Sequence, residues 1–303
     1  MAATLLAVIA ALAIGHLAPG IAAGLRRYGW YADWLRWLDA QFPEGSVWRS
    51  RFGILLALAV PLLVVGLLQL ALDQPLWGLV GLLFDIAVLF HCWGPRDLDL
   101  DVAAVIDAPD AAVRSNAATR LWPPGATVQL DGPSLVEAVF RNALRRWFGV
   151  LFWFWVLGPF GALLYRLSTL AVERNANTAL PADTADGANN LLALLEWPVT
   201  QLMTISLALV GNFDSVVGAW RECGKAGLQL HNDLLATAAR ASVRSEIAEE
   251  VADYTGSGIA ASTALEEVFG ELPELRDAMR MAWRILVLWL AVIALFVIAG
   301  WVG

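Results

Sequence analysis

Residues 52–72 read FGILLALAVPLLVVGLLQLAL. No side chain in this run is charged, and a helix rising about 1.5 Å per residue over that length covers the roughly 30 Å of a bilayer's hydrocarbon core. Pro61 can kink such a helix without preventing its insertion. The run therefore predicts a transmembrane helix, and the rest of the chain is read outward from it. Asp73, Gln74 and Pro75 make a turn too short to be a domain, and residues 76–93 run back apolar, so the two runs predict a membrane hairpin.

Composition agrees with that reading: of 303 residues 59% are hydrophobic and only 16% are charged, too few to cover a soluble surface of this size. Apolar runs at 2–25, 148–167, 190–211 and 281–302 leave no uninterrupted polar half, which predicts one membrane-embedded unit over 1–303. The run 2–25 has no positive charge ahead of it and Arg26 and Arg27 behind it, the reverse of a cleaved signal, so it reads as a retained segment that Gly15, Pro19 and Gly20 can kink. In 148–167 the residues Gly158 and Pro159 mark a break or a site of close packing, and 190–211 is the weakest span because Glu196 lies inside it, where Pro198 could bring it to an interface. A net charge of -8 excludes a broadly basic nucleic-acid surface, and no recognition module for DNA or RNA is present, so no nucleic-acid partner is expected. Cys92 and Cys223 form neither a metal spacing nor a disulfide framework and read as free thiols.

Arginines set the expected orientation. Arg36, Arg49 and Arg51 follow the first run; Arg96, Arg114, Arg120, Arg141, Arg145 and Arg146 precede the fourth; Arg221, Lys225, Arg240, Arg244 and Arg276 follow the fifth. The positive-inside tendency then places 26–51, 94–147 and 212–280 in the cytoplasm, and the turn at Asp73 and the acidic stretch around Asp183 and Asp186 in the periplasm. Two intervening segments carry one apolar stripe at helical spacing: Trp30, Trp34, Trp37 and Leu38, and Leu135, Val139, Phe140, Ala143, Leu144 and Trp147. Both are expected to lie along the membrane surface. The expected fold is thus all-α, a polytopic transmembrane helical bundle of a bacterial inner membrane with interfacial and cytoplasmic amphipathic helices.

Chemistry has little to draw on. The chain shows no Walker lysine loop, dinucleotide glycine pattern, nucleophile elbow or His-Glu zinc helix, and its histidines are His16, His91 and His231, so no catalytic residue, metal site or cofactor is expected. Asp85 and His91 stand out in the third run, since an ionisable group deep in a bilayer costs about 2.5 to 3.5 kcal/mol on insertion scales; the plainer reading places His91 at the cytoplasmic end and Asp85 hydrogen-bonded within the bundle. Ser134 and Glu137 have capping-box spacing at a helix start. Arg141, Arg145 and Arg146 could bind an anion, although arginines just before a span commonly serve as headgroup anchors.

From Glu137 onward the residues also carry a family resemblance. The stretch Val136-Glu-Ala-Val-Phe-Arg-Asn142, then Gly149-Val-Leu-Phe-Trp-Phe-Trp155, Gly158-Pro159, Leu164-Tyr165-Arg166, Leu195-Glu-Trp-Pro198 and Gly218-Ala-Trp220 resembles the AmpE family, and more distantly the cobalamin-biosynthetic membrane synthases of the CobD/CbiB superfamily. In the synthase branch the segment matching 137–142 begins with Glu and ends in a Glu-Asn pair. Here Glu137 and Asn142 match, but Arg141 replaces the second Glu, Arg166 stands where Lys is expected, and Leu167-Ser-Thr-Leu-Ala171 replaces an acidic sequence. Asp183, Asp186 and Glu196 are the acids left nearby, so groups that would organise Mg and a nucleotide phosphate are depleted, which favours the AmpE branch.

The resemblance implies an inner-membrane regulatory or accessory protein linked to beta-lactamase induction and peptidoglycan recycling, rather than a free-standing enzyme. Expected partners are membrane lipid, a muropeptide or nucleotide, and another membrane protein. The alternatives are an ATP-dependent amide-forming synthase and a transporter of cell-wall fragments; the transporter would need inverted repeats around a midplane site. The expected ligand site joins Glu137, Arg141, Asn142, Arg145, Tyr165 and Arg166 at the cytoplasmic membrane face. Spacing by four puts Glu137, Arg141 and Arg145 on one helical face, and Asn142 is turned about 100 degrees from Arg141. The competing reading is a capped surface helix with lipid anchors.

Overall fold

The structure is a computed structural model that describes residues 5–11, 28–72, 78–94, 97–173, 180–224, 233–256 and 271–299. Outside these lie Gly15, Pro19, Gly20, Arg26 and Arg27, the turn at Asp73, Gln74 and Pro75, Arg96, Lys225, His16, His231 and Gly303. The described residues hold helices and no strand, so the chain is all-α. In chain order, beyond the helical residues 5–11, the helices are Gly29–Gln41 (α1), Gly53–Leu72 (α2), Gly78–Cys92 (α3), Leu98–Ile106 (α4), Ala111–Ala118 (α5) and Gly132–Ala143 (α6). After a π-turn over Leu144–Phe148 come Gly149–Leu157 (α7), Pro159–Glu173 (α8), Ala182–Val210 (α9), Phe213–Gly224 (α10), Asp233–Gly256 (α11) and Pro273–Ile298 (α12).

Three helices, α2, α9 and α12, are long and apolar enough to cross a membrane; α3 is apolar but shorter. The outer faces of the first and last are apolar without being covered by protein: Leu63, Leu67 and Leu70 on α2 and Val287 and Leu295 on α12 are all at least 60% exposed. In water such faces would be a liability, and in hydrocarbon they cost nothing.

By its internal contacts the chain divides into two compact units, one formed by Met1–Asp97, Arg145–Glu196 and Ile293–Gly303, the other by Leu98–Leu144 and Trp197–Val292. In the first unit α8 is the central helix, packing on α2, α3 and α7. Eleven of its fifteen residues are buried, including Tyr165, Arg166, Ser168 and Thr169, with the two hydroxyls returned to the carbonyls of Leu164 and Tyr165 one turn back.

The run 148–167 is not one helix. It breaks at Gly158, whose φ of 66° lies in the left-handed region that a side chain would strain, and Pro159 then starts α8 at a position where its missing N–H matters least. A break leaves orphan backbone groups, which in an apolar setting must be met from within the protein. Gln69 of α2 meets two of them: its Nε2 donates to the Leu157 carbonyl at 3.2 Å and its Oε1 accepts from the Phe160 N–H at 3.0 Å. A single carboxamide thereby spans the break.

Pro61 poses the same problem inside α2. Lacking an N–H, it cannot serve the carbonyl of Ala57 four residues earlier. The Trp34 indole N–H donates to that carbonyl at 3.0 Å, which docks α1 on α2. The buried side of α1 is Tyr31, Leu35 and Leu38, while Trp30 and Trp37 remain exposed.

In the second unit α6 packs on α11 and α4, α10 on α11, and α4 on α5. The apolar stripe expected to lie along the membrane is here covered by protein: Leu135, Val139, Phe140, Ala143 and Leu144 are at most 1% exposed. The capping-box reading is also corrected, because Asp131 caps α6 by accepting from the Ser134 N–H at 3.1 Å, with Pro133 following in the first turn. Contacts from the Ser134 hydroxyl and N–H hold the Asp131 carboxyl below its ordinary pKa. Glu137 is thus free of any capping role.

If Trp34 exists to serve the carbonyl that Pro61 strands, the two positions must be coupled. Trp34→Phe is expected to cost about 1–3 kcal/mol in unfolding of the purified protein in detergent micelles, as for a buried acceptor left unmet. In a Pro61→Ala background, where the restored backbone N–H can close the helical bond, the same change should cost clearly less; equal costs in both backgrounds would refute the coupling.

Candidate functional site

The six residues expected to share a site fall in different units. Glu137, Arg141 and Asn142 belong to the second, and Arg145, Tyr165 and Arg166 to the first. The equal spacing of Glu137, Arg141 and Arg145 assumes an unbroken α-ladder, but that ladder ends at Ala143 and Arg145 lies in the π-turn, whose wider winding breaks the 3.6-residue register. The expected common face is therefore not formed.

In the second unit Glu137 is an ion-pair partner of Arg141 one turn on and of Arg240 of α11 at 3.5 Å, each side chain about one third exposed or more. Pairs of this exposure contribute about 0–1 kcal/mol each. The Asn142 amide donates to the carbonyls of Leu121 and Ala138, both at 2.8 Å, tying α6 to the 3-10 turn Thr119–Leu121. These are structural uses, and they absorb the groups that a ligand would need.

The first unit holds a different kind of cluster. Arg145 Nε donates to Glu196 Oε1 at 2.8 Å, with the Glu196 side chain 3% exposed and that of Arg145 20%. Burial alone would lower the Arg145 pKa, but Glu196 and Glu173 outweigh it and raise it, so the cation is held firmly. Glu196 therefore lies inside the unit, buried and paired. Pro198 follows it within the same continuous helix α9.

Tyr165 is fully buried and within electrostatic range of Glu196, Arg145, Arg166 and Glu173. Its ring lies directly over the Cα of Gly149, where any side chain would overlap the phenol, so α7 and α8 can approach this closely only with glycine there. Arg166, 1% exposed, sends its Nε to the carbonyl of Cys92 at 2.7 Å, satisfying an orphan acceptor at the C-terminus of α3 where positive charge is also favoured. Its guanidinium stands 6.0 Å from the Tyr28 ring centroid, and its Nη2 is buried with no hydrogen-bond partner among the described residues. Tyr28 in turn donates its hydroxyl to the His91 carbonyl and packs its ring on that imidazole at 4.8 Å. Cys92 is a buried free thiol.

The structure thus places Tyr165 within electrostatic range of Arg145, Arg166 and Glu196, the last of which the sequence had marked as an anomaly in a span and as one of the few acids nearby. Asp277 of the second unit was not singled out at all. It is 2% exposed, and neither carboxyl oxygen has a hydrogen-bond partner among the described residues. Chemically the first unit offers two guanidinium groups, Arg145 held by a carboxylate and Arg166 with a bare N–H edge, each in a setting that strengthens charge-assisted bonds. Among the described residues no group of three or more His, Cys, Asp or Glu is arranged to hold a metal.

The burial of the Arg145–Glu196 pair is asymmetric, and its energetics should be too. Arg145→Met strands a carboxylate that is almost wholly buried and is expected to cost about 3–5 kcal/mol in denaturant unfolding, whereas Glu196→Leu leaves an arginine that can still reach water and should cost less. The double variant should be more stable than Arg145→Met alone; additive losses would show that the two side chains do not interact. The chain matches no model of a known protein family, no curated protein and no solved structure.

Proposed function

We propose that this chain is a multi-pass protein of a bacterial inner membrane that acts as a regulatory or accessory factor, answering to an anionic ligand through the cluster of Arg145, Tyr165, Arg166 and Glu196. The observation that carries the reading is a carboxylate buried against Arg145, with Tyr165 in electrostatic range both of that pair and of the buried Arg166, whose Nη2 is an unmet donor among the described residues. Ionisable groups inside an apolar helical unit are costly, and a functional role is the default explanation for keeping them. A phosphate or carboxylate of a muropeptide or nucleotide would compete with Glu196 for Arg145. Such an exchange requires the released Glu196 carboxylate to find another cation or reach water, and that coupled rearrangement gives a two-state element without chemistry on the ligand.

The resemblance to the AmpE family directs the proposal to beta-lactamase induction. The expected result is that Arg145→Met and Glu196→Gln, each at normal membrane abundance, change the induction response at least about fivefold, the scale of a 1 kcal/mol coupling. Asn142→Ala should lower abundance and leave the response per molecule intact. Wild-type induction in both cluster variants would remove the proposal.

Six crossings, with 94–147 cytoplasmic, complete the reading. The arginine-rich segments support this orientation, and the clamped break at Gly158 is compatible with a span because its freed backbone groups are met by Gln69. Reporter fusions at Gly125 and at Gly303 are expected to be active in opposite compartments. Activity in the same compartment would mean that one run does not cross.

A further inference from the structure

The first unit carries an open apolar groove of about 820 Å³, walled by Trp34 and Trp37 of α1, Val60 and Val64 of α2, Val88 of α3 and Leu163 of α8. Its volume lies within the range of about 300–1,000 Å³ typical of small-molecule sites. We infer that the groove holds an acyl chain of one anionic membrane phospholipid, with the lipid phosphate at Arg36 of α1.

The inference rests on the membrane reading above and adds an occupant to it. Val60 and Val64 line the groove and are also 51% and 54% exposed, on the same outward face as Leu63 and Leu67. The groove therefore opens onto whatever surrounds α2, and around a spanning helix that is hydrocarbon. An acyl chain brings no hydrogen-bonding groups along its length and needs none, which matches a wall whose ionisable side chains are Asp33 and His91 alone.

The mouth has the other half of the required chemistry. Trp34 and Trp37 stack with ring centroids 5.1 Å apart and planes 15° apart, and Trp37 is 52% exposed, an arrangement suited to headgroup depth. Asp33, which lines the groove, is paired with Arg36, but that pair is about two thirds exposed at both ends. A pair so exposed is worth little, and the singly charged phosphodiester of a lipid, seated at headgroup depth with two oxygens for the guanidinium fork, can take Arg36 from it. The bond from Trp34 to the Ala57 carbonyl holds α1 against α2 and so keeps the groove's wall in place.

The test uses the full-length protein, purified and delipidated in a maltoside detergent, with phosphatidylglycerol brominated at mid-chain as the probe. Native mass spectrometry should show a one-to-one adduct, and the bromines should quench tryptophan fluorescence. Val64→Trp fills the groove from an exposed position and should lower adduct occupancy about tenfold or more, equivalent to about 1.4 kcal/mol. Leu67→Trp, on the same face but outside the groove, should leave it unchanged and shows that an added tryptophan there is tolerated. Arg36→Ala should weaken phosphatidylglycerol more than phosphatidylcholine, whose choline cation offsets the charge of the phosphate. Equal occupancy in wild type and Val64→Trp, or dissociation of a dimer by Val64→Trp without loss of lipid, would overturn the inference. Alkaline carbonate extraction from membranes separates the two levels: release into the supernatant would sink the membrane reading whatever the groove binds.

Discussion

A backbone carbonyl or N–H that leaves the helical ladder inside an apolar protein has no water to turn to, and the first unit is organised around meeting that demand. Three places create it: Pro61, which strands the Ala57 carbonyl; Gly158, which strands Leu157 and Phe160; and the C-terminus of α3 at Cys92. Each is answered from another segment, by Trp34, Gln69 and Arg166 respectively. Apolar faces fit one another in many registers, whereas these bonds fix one. They tie α1 to α2, α2 to the junction of α7 and α8, and α8 to α3, so a small number of polar side chains specifies how a largely apolar set of helices is assembled.

Against that background the two arginine clusters differ in kind. Around Glu137 the charges are paired in reach of water, and their contribution is small and replaceable. Around Glu196 the carboxylate is almost fully enclosed, so the pair cannot be opened without giving that carboxylate another cation or access to water. The pair is therefore costly to break from one side: losing Arg145 strands the Glu196 carboxylate, whereas losing Glu196 leaves a guanidinium with access to water. Tyr165, held close by the bare backbone of Gly149, keeps the volume beside the pair filled and dry.

Much of the fold was legible in the sequence. Length and a near-absence of charge, with Arg284 close to the start of the second, mark 52–72 and 281–302, and Gly158 followed by Pro159 marks the break, because few backbones but glycine's accept that turn and proline suits the first position of a new helix. The start of α6 was read from Ser134 and Glu137, whereas Asp131, followed by Pro133 in the first turn, is the residue that caps it. The π-turn at Leu144–Phe148 leaves no mark in residue type, and it is the feature that defeats the argument from equal spacing. Glu196 could be seen as an anomaly in an apolar run, but its partner lies 51 residues away, and only the folded chain brings them together. Of the residues expected to share a site, Arg145, Tyr165 and Arg166 lie in one unit, with Tyr165 in range of both arginines, while Glu137, Arg141 and Asn142 make their contacts within α6 and its neighbours.

The clamp between Gln69 and the break at Gly158 also bears on how such a chain can change over generations. The Gln69 amide approaches so near to Gly158 that a methyl group there would lie 2.8 Å from its Nε2, and the amide in turn has its purpose only while the helix is interrupted. Neither position can drift alone without leaving a clash or a pair of stranded backbone groups. A lineage that replaces Gly158 and Pro159 by ordinary helix formers would heal the helix and release position 69 to become aliphatic, whereas one that keeps the break must keep the carboxamide. Residues 69, 158 and 159 are thus heritable as a set, and the set can be exchanged whole but not in parts.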